Sequence, residues 1–558
     1  MVIMSESETP AINITIRPRF NSGHQVDYLE VSLSIKRLLF KKGDNFVSFP
    51  SKLPRKTIIS SHGDDWQATD DLGSLPIIAK TQEFDSTYEW IVQRDTSGEI
   101  TFPFVATPAT NGVFFCQGKA IDLRSDYGGL IGSGFSFIPI PRGDRVFDIA
   151  VEWNLLDAPE GTRAVWTFGE GPGRINRTGP ASILSNSVYM VGAINSNPPE
   201  KKSDQYGYYW FGTLPSNIAV IRDIHKAFLV KVSEFFNETP SPDKSYRHFV
   251  RNNGSSKSFG GTSFDCSHIF DYDDQIAQVQ DYDLIRRMAY EMVHKYLGPP
   301  ITEPGIDFLF EGIKHALSIY LPFRPPNQFR TGEYFQATLS MLCMKYYTSP
   351  YLQLPQPELL KSASQNDRYA IEHVGTRAWA FVIGTDFAAR KLAPKTKPPQ
   401  RPIEDLAIKR LAVNKRDGKP YGINEWIDFL TPLMGEDARE RYEYMCSGNP
   451  ILLPVEVFGA KSHHLVQVDQ EIFDIGMGRQ GFEEGIVKDL KTGSRAEAAG
   501  LREGDEITWS SHTWKCEDDF TAELDVHVKR GNENVKMRFW PRSEEKAKSW
   551  QMVKVEDS

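Results

Sequence analysis

The sequence predicts a multidomain α+β protein: a β-rich, sandwich-like N-terminal part, a mainly helical middle and a small β-rich C-terminal unit. Three observations predict it. Runs of alternating or β-branched residues recur between turn signals from about residue 10 to 195. Apolar stripes at helical spacing dominate residues 196–455. The last hundred residues return to short strand-like runs around one small helical segment. At about 100–200 residues per domain, a chain of 558 residues exceeds one core. The reading divides it into 1–195, 196–459 and 460–558.

Composition narrows the classes. Lys plus Arg number 64 against 73 Asp plus Glu, a net charge of −9. That balance gives no basic footprint for nucleic acid. The five cysteines (Cys116, Cys266, Cys343, Cys446, Cys516) form no CxxC pair, and their sparse, odd number suits a reducing compartment. The N-terminal MVIMSESETPAINITIRPRF has no basic stretch leading into an apolar one, and no apolar run is long enough to cross a bilayer. The expectation is a soluble, cytoplasmic protein with neither nucleic-acid nor membrane partners.

In chain order, the strand-like runs are INITIRPRF, YLEVSLSI, EWIVQ, GVFFCQG, FSFIPIP, VFDIAVEW and SVYMVGAI, a spacing that favours an antiparallel sandwich. GEGPG at 169–173 looks like a phosphate loop, but RINRTGP after it is no amphipathic helix, so it reads as a surface loop. The aromatic run YGYYWF at 206–211 reads either as core or as cleft lining. Helical periodicity then appears in IRDIHKAFLVKVSEFF, YDLIRRMAYEMVHKYLG, IDFLFEGIKHALSIYL and TRAWAFVIGTDFAARKL. KLAPKTKPPQRP reads as a solvated loop, and NEWIDFLTPLMGEDARERYEYMCSG as two more helices.

In the last segment, a strand opening near Ile475-Gly476-Met477-Gly478 is followed by GSxAxxAGLxxGDxI, in which Gly500 suits the turn after a short helix and Asp505 the turn before a strand. This pattern resembles a PDZ domain. The resemblance implies a C-terminal peptide as partner, its carboxylate held by backbone N–H groups of Gly476, Met477 and Gly478. The alternative is a module that only packs on its neighbour and caps a cleft.

The chemistry is concentrated in MAYEMVHKYLG at 288–298 and FLFEGIKH at 308–315. A zinc peptidase needs two His one helical turn apart, a Glu beside the first to activate water, and a third ligand from a following helix. Glu291, His294 and Glu311 stand where that pattern puts them, whereas Tyr290 occupies the place of the first His. The arrangement resembles the gluzincin metallopeptidases, and with the flanking parts it resembles their glycyl-aminopeptidase family. Further carriers are Phe259-Gly260-Gly261-Thr262-Ser263-Phe264, Glu311-Gly312 and RERYEYMCSGNPILLP at 439–454. The resemblance implies a thermolysin-like catalytic domain, zinc held by His294 and Glu311, and a substrate-binding strand at Gly260, Gly261, Thr262 and Ser263.

Departures from that pattern converge on one mechanism. Tyr290 removes a zinc ligand, and a phenol with a reference pKa of about 10 must lose its proton to bind metal. Thr262-Ser263-Phe264 replaces Leu-Glu-His, removing the carboxylate that grips a substrate amine. Gly375-Thr376-Arg377-Ala378 stands where the family carries the tyrosine that stabilises the oxyanion. His315, four residues after Glu311, shares its helix face and reads either as a hydrogen-bond partner of Tyr290, as a replacement ligand or as a plain helix residue. His463-His464 reads as a linker pair, and His268 and His373 have no partner at ligand spacing.

Three functions stay open at this point. The first is an aminopeptidase-like protein that has lost zinc-dependent hydrolysis, its His294 and Glu311 metal site weak or vestigial, and that recognises a small molecule or peptide. The second is a metal-independent enzyme using Tyr290, Glu291 and His294, with His315 as a further catalytic candidate, for cyclisation, isomerisation or elimination. The third is an active zinc aminopeptidase with a tyrosine ligand. The leading expectation is no cofactor, with zinc as the alternative.

Overall fold

A computed structural model describes residues 9–50, 58–60, 66–82, 87–108, 121–199, 206–238, 245–253, 259–264, 266–298, 308–323, 332–365, 367–396, 401–458 and 463–554. The strand expected in GVFFCQG, together with Cys116, and part of the Pro/Lys loop lie outside these residues. The chain forms two compact units, one of residues 1–222, 240–255 and 259–277, the other of residues 223–239, 256–258 and 278–558.

In the first unit an eight-stranded sheet is built around Ala11–Phe20, Val26–Lys36 and Ile100–Thr107. Strict alternation puts Ile12, Ile14, Ile16, Leu29, Val31 and Leu33 on one face, all buried. A five-stranded and a three-stranded sheet contribute Trp166, Tyr189, Phe46 and Trp90 to the same core. One pairing departs from the antiparallel expectation, because Ala11–Ile16 runs parallel to Asp148–Trp153. FSFIPIP is another correction. The 3-10 turn Gly134–Ser136, started by the Ser133 hydroxyl accepting from the Phe135 N–H, overlaps its start, and beyond it there is only an isolated bridge from Ile140 to Ser48. In GEGPG, Gly169–Glu170 pairs with Val165–Trp166 as the end of a hairpin.

The strand-rich part continues past residue 195, where the sequence predicts helix. A second five-stranded sheet has the order Ile194–Asn197, Tyr206–Phe211, Tyr246–Asn252, Ser267–Tyr272, Gly260–Ser263. Its second and third strands are parallel, and the helix Ser216–Phe235 lies between them in the chain. A parallel pair requires such a crossover, which interleaves the two periodicities in the sequence. YGYYWF is therefore a buried strand, with Tyr208 stacked on His248.

The second unit is led by three helices, Asp281–Leu297, Phe308–Phe323 and Arg368–Leu392. The last two cross at Gly312, where a Cβ would come within 2.3 Å of the Ala378 carbonyl oxygen. The expected pair in NEWIDFLTPLMGEDARERYEYMCSG forms as Ile423–Met434 and Asp437–Cys446. Residues 463–554 carry their own core, including Ile475, Phe482, Val487, Leu501 and Val526. Their first and last strands, His463–Phe473 and Arg542–Lys554, pair antiparallel. The last strand is tied to the helix Gly332–Tyr347, since Gln336 donates to the Met552 carbonyl and the Met552 N–H donates to Ser340. His463 and His464 open a strand here and are not a linker.

Candidate functional site

The candidate site is built on two helices of the second unit. Asp281–Leu297 buries Leu284, Ile285, Met288, Ala289, Met292 and Val293. Tyr290 comes one turn after Arg286 on the same face. Phe308–Phe323 is apolar almost throughout, and within it Glu311 and Lys314 stand three residues apart on one face.

These side chains meet. The Tyr290 hydroxyl donates a short hydrogen bond to one oxygen of Glu311. Lys314 Nζ donates to the other oxygen at 2.6 Å, and its ammonium also sits 4.5 Å from the centre of the Tyr290 ring. Lys314 is 4 % exposed and the Glu311 side chain 24 %. His315 packs its ring on Tyr290, centroids 5.1 Å apart and tilted by 52°, and covers Gly375, where a Cβ would lie 2.9 Å from Nε2.

Electrostatics follow from this packing. Burial alone would raise the Glu311 carboxyl, but the Lys314 charge and the hydrogen bonds from Lys314 and Tyr290 outweigh it and hold the group below its ordinary value. Burial, then the Glu311 charge, raises the Tyr290 phenol well above 10. His315 falls to about 3, first because it is buried and next because Arg286 is near. At neutral pH Tyr290 is a protonated phenol, Glu311 a carboxylate and His315 a neutral imidazole. Both oxygens of Glu311 are engaged by cationic or neutral donors, and the one proton of Tyr290 is committed to Glu311.

The other expected residues lie elsewhere. His294 leans towards the C-terminal end of its helix, so close to Gly298 that a Cβ there would meet the ring at 2.3 Å. That direction is away from Tyr290, one turn before it. Glu291 follows Tyr290 in the helix, and its charge acts on both Arg287 and Tyr290. His315 forms no hydrogen bond to the phenol among the described residues, which corrects that expectation; the contact is between two tilted rings. Lys314 was missed by sequence reasoning. Its signal was available, for a lysine in an otherwise apolar helix needs an acid one turn away.

The zinc implied by the gluzincin resemblance does not fit the donor set around Glu311. No group of three His, Cys, Asp or Glu side chains among the described residues could hold a metal ion. Glu311, the anionic ligand of such a site, is already neutralised by a buried ammonium, and a divalent ion placed there would face that charge directly.

Gly260, Gly261, Thr262 and Ser263 form the edge strand of the mixed sheet in the first unit, antiparallel to residues 268–271. Gly261 is required by His268, whose Nε2 would lie 2.1 Å from a Cβ. His268 does have a partner: its Nδ1 is 2.9 Å from Nδ1 of His248, on the neighbouring strand. His373 is buried against Tyr346, and neither ring nitrogen has a hydrogen-bond partner among the described residues.

The C-terminal segment corrects one expectation outright. Residues 474–478 form no strand; they bend directly into the helix Arg479–Glu484. The Gly476 N–H is bound by the Asp474 carboxylate and the Gly478 N–H by the Lys488 carbonyl, and Met477 is buried. The short helix Arg495–Ala498 does form, capped by Ser494, with Gly500 at φ +103° after it. Asp505 accepts from the Arg502 N–H and pairs with Arg530 just before the strand Glu506–Ser510.

Neither a protein-family model nor a curated protein matches the sequence. Among solved structures, the fold matches an aminopeptidase N family protein from Idiomarina loihiensis over 97% of this chain and 98% of that one, with a TM-score of 0.65 at 12% identity. This chain shares the fold of that family protein. Weaker likenesses are to a yeast LTA4 hydrolase, TM-score 0.48 and 11% identity over 81% of this chain and 70% of that one, and to an M1 zinc metallopeptidase from Deinococcus radiodurans, TM-score 0.43 and 12% identity over 80% and 93%. Among the described residues, no helix is long and apolar enough to cross a membrane.

Proposed function

We propose that this protein is an aminopeptidase-fold protein that has lost zinc-dependent peptide hydrolysis and retains its scaffold for recognising a peptide or small molecule. One observation carries the reading: Lys314 and Tyr290 together occupy both oxygens of Glu311. Hydrolysis on this scaffold needs a metal ion for which Glu311 would be the anionic ligand, and a carboxylate already held by a phenol and an ammonium is a poor ligand for a divalent cation. The strand Gly260–Ser263 supports the same reading, because it carries no carboxylate for a substrate amine.

The metal-independent enzyme is the weaker alternative. It needs Tyr290 to give up a proton that Glu311 holds, from a phenol whose burial already disfavours ionisation. In the proposed division, residues 1–195, 196–459 and 460–558 are the N-terminal, peptidase-like and PDZ-like parts. The last part acts as a cap, supported by its hydrogen bonds to Gln336 and Ser340 and by the engaged N–H groups at Gly476 and Gly478.

Metal analysis of the purified protein after incubation with zinc, paired with an aminoacyl-anilide assay, tests the proposal. The expected result is zinc well below one equivalent and no zinc-dependent turnover. Stoichiometric zinc that disappears in His294→Ala, together with hydrolysis, would overturn it.

A further inference from the structure

The second unit contains a cavity of about 480 Å³ that plays no part in the Tyr290–Glu311 arrangement. Its walls come from the start of the helix Asp281–Leu297, from the helix Gly332–Tyr347 and from residues 514–520. The volume falls in the range of small-ligand sites.

Its chemistry is set by acids and aromatic rings. Asp283 lines the cavity and is 6 % exposed. Its carboxylate has no hydrogen bond or ion pair among the described residues; the nearest opposite charges act on it only through the field of Arg286, Arg287 and Lys345. Asp518, also on the wall, is paired with Lys345 at 2.5 Å. Asp519 and Lys515 complete the charged groups of the wall, so three carboxylates face one lysine there. Tyr282, Trp514 and Phe520 supply aromatic surface. Asp281 and Asp283 both lie in the first turn, where their charges compensate the positive end of the helix.

A buried carboxylate without a partner is costly, and burial, then the neighbouring Asp518, pushes Asp283 up to about 6. A cation brought into the cavity relieves both effects. An inorganic ion would leave the aromatic wall unused, whereas an ammonium carrying hydrocarbon satisfies the carboxylate and the rings together. We propose that this cavity binds an organic ammonium ion, with Asp283 as its counter-ion and Tyr282, Trp514 and Phe520 around its apolar part.

The test compares benzylammonium with benzyl alcohol on the full-length protein by ligand-observed NMR titration. Benzylammonium is expected to bind saturably and benzyl alcohol about tenfold or more weakly, the difference made by one charge-assisted hydrogen bond. Asp283→Asn removes that difference. Ala337→Phe, placed on an exposed part of the wall, blocks both ligands and leaves the urea midpoint unchanged. Equal binding of the two ligands, absence of saturable benzylammonium binding, or binding retained in Ala337→Phe would each overturn the proposal. The last of these decides the matter even if Asp283→Asn does not fold.

Discussion

Lys314 places its ammonium 2.6 Å from Glu311, three residues earlier on the same helix, and nearly out of reach of solvent. An ion pair of this kind is stable only while both members are present. Removing the lysine leaves the partly buried Glu311 carboxylate with the Tyr290 phenol as its remaining hydrogen-bond partner among the described residues. Lys314→Met is therefore expected to lose about 3 kcal/mol of stability, and Lys314→Met with Glu311→Gln to regain most of it. Urea unfolding of the three proteins measures this. A single variant as stable as the parent would show that the pair holds nothing together.

Restoring the first histidine separates a missing ligand from an occupied site. Tyr290→His supplies the imidazole that the zinc pattern lacks, but Lys314 still neutralises Glu311. The single variant is expected to remain without stoichiometric zinc after dialysis. Tyr290→His with Lys314→Ala is expected to retain measurably more, because the repelling charge is gone. Equal zinc in both variants would remove Lys314 from the explanation.

How far the sequence discloses this site depends on the kind of signal. Tyr290, Glu311 and His315 come together where motif spacing on two successive helices puts them, since helical period and chain order determine which faces meet. The direction of a side chain is not in the spacing: His294 leans along its own helix towards Gly298, away from the group. The mixed sheet from Ile194 to Tyr272 was hidden because its strands alternate with the helix Ser216–Phe235. The failed strand at residues 474–478 has a local cause, in that Asp474 and Lys488 take the N–H groups that a ladder would use.

Glu372 gives the second unit a pH dependence. Burial, then the neighbouring Glu517, raises its carboxyl to about 7. The folded protein thus binds a proton more tightly than the unfolded chain, whose glutamates titrate at about 4.3. Stability from this group is fully present below the unfolded value and falls as pH rises through the folded one. Glu372→Gln, which stays neutral, is expected to gain on the parent by about 2 kcal/mol between pH 4.5 and pH 7.5. Urea unfolding at the two values measures the gain, and parallel pH profiles would refute the assignment.

Two glycines beside the site differ in what a methyl group would strike. At Gly312 the obstacle is the Ala378 carbonyl oxygen, 2.3 Å from an added Cβ, and backbone in the middle of the long helix Arg368–Leu392 cannot step aside. At Gly375 the obstacle is Nε2 of His315 at 2.9 Å, the far end of a ring that can tilt. Both variants add one methyl group to a packed crossing, so a difference between them isolates the yielding of the neighbour. Gly312→Ala is expected to cost about 1–3 kcal/mol, in the range of core overpacking, and to separate the helix that carries Glu311 from its support. Gly375→Ala is expected to cost less and to alter the His315 ring instead, visible as a shift of its imidazole NMR signals. A larger loss at Gly375 than at Gly312 would place the critical helix contact at His315, not at the Gly312–Ala378 crossing.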